Sequence, residues 1–225
     1  MIPTLTIANA KAVSLLEQGH HQDAVRILSC AVKQCASALF DSPSRSLPHV
    51  VTQSSCGELF VTTAVSVDSN SSMSPETEFF SRPFVMILHD LEENSSSRQI
   101  MAGCAAVCCY NMGLACHLEW IGRNRNDSRV LNQAHTFYSK AFNVLQLCHL
   151  KPTDSLLLLL MAVCTNMIGV NLELGRLSAV QELKDNLASV MTYADKRQYK
   201  HNESFRYLYH AIVLFRSDLV AARAA

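Results

Sequence analysis

Two long runs without a charged residue limit what this chain can fold into. The first covers 100–118 and the second covers 156–172. Each is close to the roughly 20 residues that a helix needs to cross the apolar core of a bilayer. A core helix that neighbouring helices enclose in a soluble protein has the same composition. Both runs must therefore be covered on most sides, either by lipid or by the rest of the chain.

Polar residues inside the two runs favour cover by the protein itself. The first run contains Asn111 and His117, and the second contains Asn166 and Asn171. Neither run is flanked by the cluster of Lys and Arg or by the aromatic residues that mark a membrane span. The sequence therefore predicts two buried helices of a soluble fold, and membrane insertion is the alternative.

The charge balance excludes some classes of partner. The chain has 225 residues, of which 49% are hydrophobic, and its 19 basic residues balance its 19 acidic ones. This supplies enough apolar material for a continuous core in a single domain. A nucleic acid or an anionic membrane, which would require net positive charge, is not expected as a partner. The basic stretch 196–201 has acidic neighbours, which is typical of a solvated helix face.

Cysteine use and the first residues indicate the compartment. Nine cysteines are an odd number, and four of them are clustered between 104 and 116, unlike a disulfide scaffold. The first residues have no basic segment followed by an apolar one, so no secretory signal is predicted. We expect reduced thiols and an intracellular, cytoplasmic location.

The spacing of apolar residues and turn formers predicts seven helices. The first begins at Ile7 and ends before Gly19, and the second follows directly and ends before 41. The other five are predicted at 98–121, 128–149, 153–174, 176–192 and 201–222.

Residues 41–97 differ from the rest of the chain. The β-branched stretch 58–67 and the stretch 79–88 predict two strands that pair as a β-hairpin, joined by the polar and flexible residues 68–75. Pro83 has no N–H to donate, which marks the second strand as an edge strand or an irregular one.

The helix pairs contain a recurring pattern. Gly19 is followed at offsets of five, nine and twelve residues by Ala24, Leu28 and Ala31. The same offsets from Gly175 lead to Val180, Lys184 and Leu187, and the middle pair has Gly113 followed by Ala134, Tyr138 and Ala141. This pattern resembles the tetratricopeptide repeat, in which small residues allow the two helices to approach each other.

The chain departs from the regular repeat in spacing. Ala134 follows Gly113 at an offset of 21 residues, compared with about 12 in the family pattern. We therefore predict an enlarged turn at 123–128. The stretch 111–118, with an Arg-Pro-Phe strand upstream, is also similar to an uncharacterised algal group of tetratricopeptide-like proteins, and that group implies no activity.

The resemblance implies where a partner would bind. In tetratricopeptide proteins the first helices of successive pairs line a concave groove that holds an extended or helical peptide. Amide side chains there can donate to and accept from a peptide backbone. The polar residues on these helices are Asn9, Asn111, His117, Asn166 and Asn171. Alternatively, each asparagine caps or bridges polar groups within the core. The stretch 156–161 has no Lys or Arg, so recognition of a terminal carboxylate is not expected.

Metal binding and catalysis have little support in the sequence. The pairs Cys116 with His117 and Cys148 with His149 are adjacent residues, which point in different directions on a helix, and neither Cys-x-x-Cys nor His-Glu-x-x-His occurs. A reactive thiol needs a polar, electropositive setting, whereas Cys104 and Cys108 lie in the most apolar run. No catalytic residue, metal or cofactor is predicted, and we do not expect an enzyme.

Together these features predict a mainly α protein with a tetratricopeptide-like array of about seven helices and an inserted β-hairpin. A single domain would span 1–225, divided into a first helix pair (1–40), the hairpin insert with flexible loops (41–97), two further pairs (98–192) and a C-terminal helix (193–225). The predicted function is a non-catalytic scaffold that binds a protein or peptide in its concave face. The alternative is a small-ligand-binding or enzyme-accessory module with a pocket between the hairpin and the helices.

Overall fold

The computed structural model describes residues 2–40, 60–62, 80–87, 97–147 and 154–196. These residues are mainly helical, with six helices and two short strands among them. In chain order the elements are α1 (Ile2–Glu17), α2 (His21–Phe40), β1 (Phe60–Thr62), β2 (Phe84–Met86), α3 (Ser97–Gly122), α4 (Ser128–Leu147), α5 (Asp154–Glu173) and α6 (Leu177–Lys196). The predicted helix at 201–222 and most of the insert 41–97 lie outside this part of the chain.

Most helix boundaries follow from local signals in the sequence. The ends of α3, α4 and α5 lie within two residues of their predicted positions. Helix α1 begins five residues earlier than predicted, at Ile2. Pro3 fits its first turn because the N–H that proline lacks would have no partner inside the helix there. Helix α6 extends four residues beyond the predicted end, to Lys196.

The turns inside the first and third helix pairs are the same. The N–H of Gly19 donates to the carbonyl of Leu16 at 3.0 Å, and the N–H of Gly175 donates to that of Leu172 at 3.0 Å. In both turns the following N–H reaches back five residues at 2.8 Å. These bonds satisfy the last carbonyls of α1 and α5, and they require a positive φ, which is 78° at Gly19 and 70° at Gly175.

The middle pair makes this turn without glycine. The N–H of Asn124 donates to the carbonyl of Ile121, and the N–H of Arg125 donates to that of Trp120, both at 3.0 Å. Asn124 has a φ of 55°, and asparagine is among the non-glycine residues that most readily adopt this conformation. The connection covers 123–127, two residues more than 18–20 or 174–176. The turn is thus only slightly enlarged, and part of the extra sequence lengthens α3, which has 26 residues.

Each helix packs against the next one in the chain, and α3 also contacts α1 and α5. Helices α3 and α5 lie at the centre. By length and composition alone, Ile100–Gly122 and Ser155–Glu173 could each cross a membrane, which is weak evidence. Within the fold 89% and 83% of their apolar windows are buried. Most of each apolar window is therefore covered within the fold.

The strand β2 pairs antiparallel with β1, with Phe60 opposite Met86 and Thr62 opposite Phe84. It packs against α1 and α3. Residues 80–83 precede it without regular structure, so the strand is shorter than the predicted 79–88. It begins directly after Pro83, which cannot donate to a strand ladder. The predicted hairpin as a unit stays a prediction, because the join 63–79 is outside the described residues.

Gly113 allows α3 and α4 to approach closely. A Cβ atom at this position would lie 2.6 Å from Cδ1 and 2.7 Å from Cε1 of Tyr138. The ring of Tyr138 is fully buried, so it has little space into which to move. Glycine is therefore required here by the contact between the helices.

We predict that Gly113→Ala destabilises the protein by about 1–3 kcal/mol, because the added methyl group overpacks the contact with Tyr138. Urea unfolding measures this change. Gly122→Ala is the matched control, since a Cβ atom at Gly122 would meet nothing within 4 Å. The control should be neutral or slightly stabilising. Equal stability of the two variants would contradict the prediction.

Candidate functional site

Three asparagines on α1, α3 and α5 contact one short stretch of the chain. Asn9, Asn111 and Asn166 are each 0% exposed. All three hydrogen-bond to the backbone of residues 80–87, which we call the inserted segment. These three are the predicted groove residues that the structure brings together, and the peptide that they hold belongs to the chain itself.

Asn9 and Asn111 bind the same edge of β2. The carboxamide of Asn111 accepts from the N–H of Phe84 at 3.0 Å and donates to its carbonyl at 2.8 Å. Asn9 donates to the carbonyl of Phe84 at 3.1 Å and accepts from the N–H of Met86 at 2.9 Å. Each side chain thus satisfies one donor and one acceptor, as a neighbouring strand would.

The opposite edge of β2 faces β1. Successive residues of a strand direct their N–H and C=O groups to alternate edges. Since Phe84 and Met86 bond to the asparagines, the groups of Val85 point toward Val61, its partner in β1. The strand therefore lies between β1 on one side and amide side chains of two helices on the other.

Asn166 binds the start of the inserted segment. Its carboxamide oxygen accepts from the N–H of Phe80 at 2.7 Å, and its nitrogen donates to the carbonyl of Phe80 at 3.0 Å. The same nitrogen lies 3.1 Å from the hydroxyl of Tyr138. The hydroxyl of Tyr110 donates to the carbonyl of Phe80 at 2.9 Å and lies 3.1 Å from that of Arg82.

Aromatic and apolar side chains fix the segment on the helices. Phe80, Phe84 and Met86 are all buried, whereas Ser81 is exposed. The ring of Phe84 meets the ring of Tyr110 edge to face, with centroids 5.1 Å apart, and lies 6.1 Å from the ring of Phe80. The helices therefore bind the backbone through amides and one face of the segment through rings.

Tyr110 and Tyr138 also belong to the site, although the sequence pattern did not predict this role for them. Both hydroxyls are buried, which raises the pKa of Tyr110 and of Tyr138 well above the ordinary value and keeps both groups neutral. A signal existed for Tyr110, because a hydroxyl inside a charge-free run needs a partner when the helix is buried.

The other two predicted residues lie elsewhere on the same helices. His117 packs between Trp120 and Tyr138, with ring centroids 6.0 Å and 6.2 Å away. Burial, with a smaller contribution from Arg125, lowers the pKa of His117 to about 4. Asn171 donates to the carbonyl of Met167 within α5 at 2.9 Å. Both side chains are buried, and the hydrogen bond of Asn171 lies within its own helix.

Three buried thiols on α3 and α5 are poor nucleophiles. Burial raises the pKa of Cys109 to about 11 and the pKa of Cys116 and Cys164 to about 12, so these thiols stay protonated at neutral pH. Across the described ranges, no group of three His, Cys, Asp or Glu side chains could hold a metal ion.

We predict that Asn111→Ala lowers the free energy of unfolding by about 1–3 kcal/mol, because the buried N–H of Phe84 loses its acceptor. Equilibrium unfolding in urea measures this loss. Thr165→Val is the control, since Thr165 is also buried but donates to a carbonyl that already accepts a bond within its helix. Equal losses for both variants would show that the segment contacts are not the cause.

We predict that His117 makes the protein less stable in acid. Its pKa in the folded state is about 4, below the ordinary value of 6.5. As the pH falls, the unfolded chain therefore binds a proton at His117 before the folded protein does. The contribution of neutral His117 to stability is complete above pH 6.5 and is lost as the pH falls toward 4.

Urea unfolding at pH 7.5 and pH 5 tests this prediction. Between these two pH values, the free energy of unfolding of the native protein should fall by about 2 kcal/mol more than that of the variant His117→Phe. Because the other histidines are present in both proteins, the difference isolates His117. Parallel losses in the two proteins would refute the assignment.

Comparison with known proteins finds no family model, curated protein or solved structure that matches this chain. The contacts of the inserted segment are therefore the basis for inferring a function.

Proposed function

We propose that this protein is a non-catalytic scaffold that binds a protein or peptide segment along the concave face of a tetratricopeptide-like array. The supporting observation is that Asn9, Asn111 and Asn166 hydrogen-bond to both donors and acceptors of an extended backbone. This is the chemistry by which such a face would bind a peptide, here made with a segment of the same chain.

The order of the helices supports the proposal. The three pairs α1–α2, α3–α4 and α5–α6 have the same two turn hydrogen bonds, and α3 contacts the first helices of both other pairs. Stacked αα-hairpins arranged in this way place their first helices side by side. The three asparagines come from these three first helices, one from each.

Backbone recognition by amides would suit partners of different sequence. Every extended segment offers N–H and C=O groups at the same spacing, so asparagine side chains can replace a pairing strand regardless of the side chains. Because α3 and α5 carry little charge, the affinity would come from amide hydrogen bonds and apolar contact. Binding by such contacts should depend weakly on salt.

The alternative, a small-ligand or enzyme-accessory module, has weaker support. It requires a pocket between the insert and the helices. In that place the side chains of Phe84 and Met86 are buried against α1 and α3. The described contacts therefore favour a peptide over a small molecule.

We predict that peptides selected from a displayed library bind the full chain at the asparagines of the first helices. Selected peptides should bind Asn166→Ala at least about tenfold more weakly, equivalent to about 1.4 kcal/mol, and should bind the native chain nearly equally at low and high salt. Fluorescence anisotropy measures both.

Asn132→Ala is the matched control. Asn132 lies on α4, the second helix of its pair, where it bonds to the carbonyl of Ser128, and its loss should leave peptide binding unchanged. If no peptide is enriched, or if enriched peptides bind Asn166→Ala and the native chain equally, the proposed function is wrong.

A further inference from the structure

We propose that the inserted segment, 80–87, is an exchangeable occupant of the groove, and that the partner presents a strand of the same chemistry. That strand has an aromatic residue, a second aromatic residue four positions later, and a long apolar residue two positions after that. This inference rests on the proposed function and names the class of partner for the same site.

The side chains that the groove selects are those buried on the helices. Phe80, Phe84 and Met86 have this spacing and are 1%, 0% and 4% exposed. Ser81 is exposed, and Arg82, Val85 and Ile87 are partly exposed. Pro83 is also buried. Four positions of a partner strand are thus restricted by shape, whereas the other positions are much less so.

The backbone contacts impose a second condition. The asparagines bond to the N–H groups of Phe80, Phe84 and Met86, so the partner must be extended and must have no proline at these three positions. Proline is accepted at the position before the second aromatic residue, where Pro83 stands in this chain. These conditions define a recognisable sequence pattern.

The segment lies on the helices as a bound peptide would. One of its faces is exposed or partly exposed, and its inner edge bonds to helix side chains. Helix α3 also contacts α1, α2, α4 and α5 directly. Release of the segment would leave these direct contacts in place, and three amides would face water.

The segment is covalently attached to the chain whose groove it occupies, so a partner strand must compete with it. A segment attached to its own groove has an effective concentration of the order of millimolar, so a free peptide competes at a disadvantage. The apparent affinity for the partner falls in proportion to the fraction of chains with an open groove. Weakening the segment should therefore strengthen binding of a free peptide.

The first test is native-state hydrogen exchange on the full chain. The amides of Phe84 and Met86 should exchange at least about tenfold faster than those of Leu114 and Ala115 in the centre of α3, because they become exposed by local release. Exchange of all four amides at the same rate, through global unfolding, would overturn the proposal. This test needs no variant and so does not depend on the folding of one.

The second test uses a fluorescent peptide with the sequence of residues 80–87. In the variant Phe84→Ala the tethered segment is weakened, and the peptide should bind this variant at least about tenfold more tightly than it binds the native chain. A control peptide with alanine at both phenylalanine positions should bind neither protein. A folded Phe84→Ala variant that does not bind the peptide would overturn the proposal.

The results separate this inference from the proposed function. If library peptides bind at the asparagines but the 80–87 peptide does not, the inferred partner chemistry is wrong and the scaffold function stands. If neither binds, both are wrong. If light scattering shows that the native chain dimerises and that Phe84→Ala abolishes the dimer, the occupant is the segment of a second copy, and the inferred foreign partner is overturned.

Discussion

The hydrogen bonds between three buried asparagines and the backbone of 80–87 are the interaction that holds the inserted segment on the helices. A buried carboxamide is costly without partners, and so is the edge of a strand. Here the carboxamides and the backbone groups of the segment are hydrogen-bond partners of each other. The bonds join residues that are 75 positions apart in the chain at Asn9 and 86 positions apart at Asn166. Replacement of these asparagines by apolar residues would leave N–H and C=O groups of the segment buried without partners.

These hydrogen bonds explain how α3 and α5 can lie at the centre of the fold and still contain polar side chains. Neighbouring helices surround them, so a charge would be expensive at most of their positions. Asparagine and tyrosine are accepted because Asn111, Asn166 and Tyr110 find backbone partners in the segment. The same features make the face neutral, which leaves amide contacts and shape as the means by which it would recognise a strand.

Local features were predicted well from the sequence, and partners were not. The boundaries of α3 to α5 and the turns at Gly19 and Gly175 depend on residues within a few positions of each other, which a pattern can reveal. The turn at Asn124 was not identified as the same turn, because asparagine is a weaker signal than glycine for a positive φ. Asn9, Asn111 and Asn166 were predicted to bind a partner peptide, with bridging inside the core as the alternative. The pattern could not show that they bond to the backbone of 80–87.

The sequence by itself determined that two charge-free helices must be enclosed and that their amides need polar partners, because burial has the same cost wherever the chain goes. Only the tertiary structure decided what supplies those partners. The segment 80–87 contacts α1, α3 and α5, which are distant from one another along the chain. Such contacts depend on how the helices pack, and no local periodicity encodes them. For the same reason the sequence could not separate His117 and Asn171, which are buried elsewhere on the same helices, from the three asparagines that contact the segment.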